Sequence, residues 1–314
     1  MASWSTVTTA KENPAQLRAF VAWHLGAGAQ EIVIFFDDPA DPSAQIFAHM
    51  PQVTTYLCDQ THWDSFDMPR PSGIRKRQIL NTKVAYSRAK TDWLVHIDID
   101  ELIYPSAPVS QILAAIPASH IALRMRPMER LFRAQDLDQP YTEYFRHMDG
   151  ENAPEWLARI YRHPEQMPHG FFGHTGGKIF VRTGQNGLTL YPHNMLINDQ
   201  PAELPEVSAM HLLHLYSFGH AHFIDKGRWK FARLDWRRKQ DESAAKLGKS
   251  ARRRKNIAEV FERNDMDKQT EMFRDAFVFD HRRLRSLRKY QTVQRYAFTK
   301  TLDGRLARYF GATS

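Results

Sequence analysis

Cysteine is almost missing from this chain: Cys58 stands alone among 314 residues. No intrachain disulfide can form, which excludes a disulfide-stapled secreted scaffold and allows a cytoplasmic setting. Cys58 follows the apolar run Val53–Leu57 and reads as a core thiol rather than a nucleophile. Long apolar runs are missing as well. No stretch approaches the roughly 20 residues that cross a bilayer. Met1-Ala-Ser-Trp-Ser5 lacks a charged start followed by an apolar segment, so no secretory signal is expected. The glycines form no Gly-x-Gly-x-x-Gly after the first strand, no Gly-x-x-x-x-Gly-Lys-Ser/Thr and no Gly-x-Ser-x-Gly. Those absences argue against a dinucleotide-dependent oxidoreductase, a P-loop phosphotransferase and a serine-elbow hydrolase. Internal repeats and low-complexity segments are also absent.

The chain does carry enough apolar side chains for a core, at 42% hydrophobic and 12% aromatic residues. The formal net charge is +8, and the cations crowd toward the end. Lys226, Arg228, Lys230, Arg233, Arg237, Arg238 and Lys239 are followed by Arg252–Lys255 and then by Arg282, Arg283, Arg285, Arg288 and Lys289. Such runs suit phosphates, nucleic acid or an anionic membrane. Asp235, Asp241, Glu242, Glu259 and Glu262 interleave with them, so most read as a solvated helical face. A nucleic-acid partner is not expected. Peripheral contact with the inner face of an anionic membrane is compatible with a cytoplasmic protein.

Ser5–Thr9, Glu31–Phe36 and Val53–Leu57 are predicted strands. Between the first two, Asn13-Pro14-Ala15-Gln16 opens a helix, with Asn13 as N-cap and Pro14 at the first helical position. A short helix from Pro42 to Met50 separates the next two. This alternation with short links implies a parallel sheet. Residues 59–73 read as a polar loop, Ile74–Ala89 as a helix and Asp92–Ile97 as a fourth strand. Val109–Ile116 reads as a helix and Ile121–Met125 as a strand, and 127–156 as irregular. Leu157–Tyr161, Lys178–Arg182, Leu188–Tyr191 and Val207–Tyr216 read as further strands, some antiparallel. From His222 the pattern is helical. The expected division is a catalytic α/β body over 1–221 and a basic helical extension over 222–314 packed on it.

The densest chemical signal is Trp93-Leu-Val-His-Ile-Asp-Ile-Asp-Glu-Leu102. An apolar strand ends in Asp98, Asp100 and Glu101. Carboxylates beside a core are costly unless their charge is offset. Aspartates at i and i+2 of an extended segment face the same side. They can share one hard divalent cation, which in turn holds phosphate oxygens. Ligands of open α/β sheets bind beyond the carboxyl ends of the strands. Lys11, Glu12 and Asn13 follow the first strand, and Asp37-Asp38-Pro39 follows the second. Acidic groups there suit ribose or base hydroxyls, although Asp-Asp-Pro alone is an ordinary turn. Gly73-Ile-Arg-Lys-Arg77 could contact phosphate or simply start a solvent-facing helix. His211 and His214 lie three apart in a strand, so at most one joins a given site. His214 is the candidate to complete an Asp-based metal site, against a core histidine bonded to backbone.

These residues resemble family 2-like glycosyltransferases. Glu12-Asn13-Pro14, Phe20-Val-Ala-Trp-His-Leu-Gly26 and Glu31-Ile-Val-Ile-Phe-Phe-Asp37-Asp38-Pro-Ala-Asp41 are similar to their opening. Asp92-Trp93 through Asp98-Ile-Asp100-Glu101-Leu102 is similar to their "DW…DxDE" segment, with Leu102 in place of an aromatic. Gly177-Lys178, Arg182 and His193 match a "GK…R…H" pattern. Leu213-His214-Leu-Tyr216 with Phe223 and Lys226 matches a late "HY…F..K" segment, with an insertion before Tyr216. Phe261-Glu-Arg-Asn264-Asp265 echoes a late "N-D" stretch.

The resemblance spans about 5–270. It implies a GT-A-like nucleotide-binding sandwich with a mixed, mostly parallel sheet. It implies a nucleotide sugar as donor, a glycan or other hydroxyl as acceptor, and transfer with inversion. It assigns Asp98 and Asp100 to a divalent ion, Mn2+ or Mg2+, and to the diphosphate. Asp37 with Asp38 and Glu12 go to the nucleoside, and His214 to the metal or diphosphate. The base that activates the acceptor is expected among Asp149, Glu151 and Glu155, with Glu155 favoured because it precedes the apolar run from Trp156. The alternatives are a glycosyltransferase-like scaffold without catalysis, and a nucleic-acid-binding protein using the basic tail.

Overall fold

A computed structural model describes residues 1–147, 157–231 and 249–311. In chain order the strands used below are β1 (Trp4–Ala10), β2 (Glu31–Phe36), β3 (Val53–Leu57), β4 (Trp93–His96), β5 (Glu101–Pro105), β6 (Ala122–Arg133), β7 (Tyr144–His147), β8 (Lys178–Arg182), β9 (Leu188–Leu190), β10 (Met195–Ile197), β11 (Gln200–Pro201), β12 (Glu206–His214), β13 (Val278–Phe279) and β14 (Val293–Arg295). The first helices are α1 (Pro14–Gly26), α2 (Gln60–Asp64), α3 (Ile74–Arg88), α4 (Val109–Ala114), α5 (Leu157–Ile160) and α6 (His220–Phe231). The chain divides into two compact units, one of Met1–Pro127, Gly176–His214 and Lys300 onward, the other of Met128–Thr175 and Leu215–Thr299.

In the first unit, β4-β1-β2-β3 is a parallel block. β8 joins β4 antiparallel, and Ala122–Met125 of β6 joins β8. β5 pairs antiparallel with β12, which sets His214 opposite Glu101. The sheet is thus mixed α/β with a parallel centre. Val7, Val33, Phe35 and Leu94 form a core with Trp63 and Ala85 on one side. Burial of such side chains contributes about 1.5–3 kcal/mol each.

Helix α1 begins as its capping residues require: the Asn13 side chain accepts from Gln16 N at 3.1 Å. Its end is tied down by Trp23-His24. Trp23 Nε1 donates to Ile103 O at 2.7 Å. His24 is fully buried, with Nδ1 2.9 Å from Phe20 O and Nε2 3.4 Å from Ile103 N. The tautomer that serves both partners donates from Nδ1 and accepts at Nε2. Desolvation lowers the His24 pKa to about 3. Its unfolded value is near 6.5, so the neutral ring stabilises the fold fully above that pH. The contribution is lost as pH falls toward 3, by roughly 1.4 kcal/mol per pH unit. Denaturant unfolding between pH 7 and 4.5 is expected to follow that fall, with a smaller slope in His24→Gln. A slope unchanged by the substitution would contradict the assignment.

In the second unit, Met128–Leu131 of β6 pairs antiparallel with β7, and β14 pairs with β7. The core collects Phe132, Leu157, Tyr161, Phe172, Phe223, Phe261, Phe273 and Phe277. Helices over Lys249–Glu262, Met266–Phe277 and His281–Lys289 belong here. Among the described residues no helix is long and apolar enough to cross a membrane.

Three sequence expectations are corrected. Leu157–Ile160 is helical rather than extended; Leu157 and Tyr161, four apart, enter one core, as a helical turn requires. The stretch from 127 is not irregular throughout, because β6 continues to Arg133 and β7 follows. Glu129, Arg130 and Arg146 are buried in these strands, and charged residues of this kind disguised the strands as loop. Residues 60–64 form a helix capped by Asp59, whose side chain accepts from His62 N at 2.9 Å.

Candidate active site

The carboxyl ends of the parallel strands carry the polar groups of the first unit. Lys11, Asp37, Asp38, Pro39, Cys58, Asp59, Gln60, Trp63 and Arg70 line a cleft of about 320 Å3 there. That volume falls at the lower end of small-ligand pockets. Asp37 is buried and already engaged. Arg77 Nε donates to its Oδ1 at 2.6 Å and Arg77 Nη2 to its Oδ2 at 2.9 Å, while Arg70 Nη2 donates to Oδ2 at 3.0 Å. Arg77 is buried, not solvent-facing. Its other donors go to the Pro71 and Ser72 carbonyls at 2.8 and 2.9 Å. Asp38 is exposed and accepts from Ala40 N at 3.0 Å, which makes the turn its residue types favour. Glu12 is half-buried and accepts from Lys11 N at 2.7 Å.

Helix α3 binds these strand ends together. Arg77 holds Asp37. Gln78 Nε2 donates to Asp98 Oδ1 at 2.8 Å. Asn81 Nδ2 donates to Thr9 Oγ1 at 2.9 Å. Successive residues and the one a turn later thus reach β2, β4 and β1. These roles leave no local signature, since each partner lies at least 20 residues away.

Asp98 and Asp100 lie on a turn between β4 and β5 rather than on extended backbone. Asp98 Oδ2 accepts from Lys178 Nζ at 2.7 Å. The same ammonium is 3.2 Å from Glu101 Oε2. Lys178 and Glu101 are 0% exposed. Burial works against the charge on Lys178, but Asp98 and Glu101 outweigh it and raise its pKa. Burial likewise opposes the charge on Asp98, yet Lys178 holds that carboxyl below the ordinary range. Glu101 Oε2 also accepts from Asp98 N at 3.0 Å, which closes the turn. Asp100 points elsewhere: its Oδ2 is 3.8 Å from His214 Nε2. Two donors of one ion at about 2.1 Å each can lie up to about 4.2 Å apart. Asp100 and His214 are therefore close enough to share a divalent ion. Each oxygen of Asp98 already has a partner, Gln78 at Oδ1 and Lys178 at Oδ2.

His96, two residues before Asp98, is 8% exposed, and desolvation pushes its pKa down to about 4. Its ring nitrogens are without a hydrogen-bond partner among the described residues. His211, opposite Tyr104 on β12, is half-buried. Glu155, Asp149 and Glu151 lie outside the described residues, as do Arg233, Arg237, Arg238 and Lys239.

The segment before β8 explains the spacing Gly177-Lys178…Arg182…His193. Gly177 has φ 64°. His193 Nδ1 is 2.8 Å from Gly177 O. Arg124 donates to the Gly176 carbonyl, and to the His193 carbonyl at 3.1 Å. Arg182 lies 4.2 Å over the Trp93 ring. These residues fix the backbone from which Lys178 reaches the acidic turn.

No family model and no curated protein matches the chain. Solved structures show loose likenesses. GalNAc-T7, crystallised with UDP, GalNAc and Mn2+, gives a TM-score of 0.37 at 12% identity over 68% of this chain and 44% of that one. The S. aureus TarS 1-349 structure gives 0.34 at 12% identity over 84% and 73%. HddC from Yersinia pseudotuberculosis gives 0.29 at 10% identity over 69% and 78%. The chain thus spans less than half the length of the GalNAc-T7 chain. TM-scores this low do not establish a shared fold, and the site is read from its own residues.

Proposed function

We propose that this chain is a glycosyltransferase that moves a sugar from a nucleotide sugar to an acceptor hydroxyl. The observation that carries the reading is the pairing of a polar cleft at the ends of β1–β3 with an ion-competent Asp100–His214 pair beyond β4. Both belong to one unit, and α3 ties the strand ends together. Ligands of open α/β sheets bind on that side of the sheet. The motifs that resemble family 2-like glycosyltransferases supply the reaction class.

In this reading the nucleoside enters the cleft. Asp38, Asp59 and Lys11 meet its hydroxyls and base, while Asp37 acts through the arginines it holds. Asp100 and His214 would hold a divalent ion, which would offset charge on the leaving diphosphate. The acceptor oxygen forms a bond to the anomeric carbon as the bond to the diphosphate oxygen breaks. Attack from the opposite face gives inversion. The hydroxyl proton passes to a carboxylate base, for which Glu155 is our candidate. The acceptor is a glycan or another hydroxylated molecule.

Saturation-transfer NMR with UDP, GDP, CDP and dTDP on the wild type, Lys11→Ala and Asp38→Ala tests the cleft. One nucleotide is expected to bind and to lose at least fivefold in affinity in each variant. Equal binding by all three proteins would sink the assignment of the cleft to the nucleoside.

A further inference from the structure

Among the described residues, the acidic turn carries three carboxylates, Asp98, Asp100 and Glu101, and a buried cation, Lys178, meets Asp98 and Glu101. Lys178 comes from β8, 77 residues beyond Glu101 in the chain, and is 0% exposed. Its Nζ sits 2.7 Å from Asp98 and 3.2 Å from Glu101. An ammonium enclosed this way cannot reach a ligand in solution. What it can do is set the charge and the geometry of the turn. Lys178 offsets one of the three carboxylate charges of the turn. Gln78 takes the other oxygen of Asp98 at 2.8 Å. Asp100 is left turned toward His214.

We propose that Lys178 is the resident cation of this turn: it occupies Asp98 and Glu101, so that a divalent ion is held by Asp100 and His214 without Asp98. Lys178 is then a positioning residue for the transfer reaction, and this inference rests on the ion site of the proposed function. It departs from the sequence pattern, in which Asp98 and Asp100 share the ion. The physical reason is local. The turn rotates the two aspartates onto different partners, whereas an extended segment would align them. A buried lysine on the first aspartate then competes with any ion for the same oxygens.

The charge count gives the test a direction that a purely structural lysine would not. Removing the ammonium without its volume, in Lys178→Met, frees oxygens of Asp98 and Glu101 and restores the third negative charge. Mn2+ binding, read by the EPR signal of free Mn2+ in the absence of nucleotide, is expected to tighten at least tenfold in that variant. Its melting temperature should fall in chelator and recover with Mn2+, because the ion then replaces the missing cation. Asp98→Asn is expected to bind Mn2+ within about threefold of the wild type, and Asp100→Asn to lose at least tenfold.

An Asp98→Asn loss as large as that of Asp100→Asn would overturn the proposal, as would a folded Lys178→Met that binds Mn2+ more weakly, or a wild type that binds none. If Lys178→Met does not fold, the comparison of Asp98→Asn with Asp100→Asn decides. Failure of the glycosyltransferase reading looks different: Mn2+ binds as described, and no nucleotide sugar does.

Discussion

Arg146→Met is expected to cost the second unit about 3–5 kcal/mol of stability, because it strands a charge in the core. Arg146 and Glu129 face each other across β6 and β7 and are 1% and 0% exposed. Arg146 Nε donates to Glu129 Oε2 at 3.0 Å, and Nη2 makes a second bond to the same oxygen. Nη1 donates to the Tyr161 hydroxyl at 2.9 Å and to Ala276 O at 2.6 Å. Glu129 also accepts from the backbone N–H groups of Phe172, at 2.9 Å, and Gly173. One ion pair therefore joins two strands, a helix end and a loop. With methionine at 146, Glu129 keeps its backbone donors but loses its countercharge. The double variant Arg146→Met/Glu129→Leu removes both charges and is expected to recover at least half of the loss. Denaturant midpoints of the three proteins check this. A single variant within 1 kcal/mol of the wild type would show that water reaches Glu129.

Gly177→Ala is expected to damage stability and ion binding together. A Cβ at 177 would overlap the carbonyl oxygen of Met125, and φ is 64°. The backbone conformation alone costs about 1–3 kcal/mol for a residue with a side chain. The overlap with backbone adds to it, since Met125 is paired with Lys178 in the register of β6 and β8. Any shift moves Lys178, which stands next to Gly177 and is 2.7 Å from Asp98. Thermal melts should show a loss of more than 8 °C, and Mn2+ affinity should change in the direction seen for Lys178→Met. A variant that melts like the wild type would mean that the Gly176–Lys178 backbone yields, and the bracket around the turn would be looser than its hydrogen bonds imply.

The parallel block was legible because its strands are continuous apolar runs and its first helix has unambiguous caps. Asn13-Pro14 and the buried positions Leu17, Phe20, Val21 and His24 leave little choice. Strands that bury charge were not legible. Glu129, Arg130 and Arg146 look like loop residues until their partners, 9 to 130 residues away, are known. The acidic turn was recognisable as a candidate site from residue types alone. Which aspartate meets which partner depends on a lysine 80 residues from Asp98 and on a turn that propensity does not fix. Asp37 shows the same limit. A carboxylate after a strand suggests a ligand contact, yet two arginines from the 70–77 segment claim it first.

In the proposed function, the Asp100–His214 pair and the cleft beyond β1–β3 bind a nucleotide sugar through a divalent ion. Titration calorimetry with a panel of nucleotide sugars, in Mn2+, Mg2+ or chelator, on the wild type and Asp100→Asn, tests it most directly. One donor is expected to bind the wild type in the presence of metal, and chelator or Asp100→Asn to weaken it at least a hundredfold. Binding of no nucleotide sugar under any metal, or equal binding by the folded Asp100→Asn protein, would contradict it.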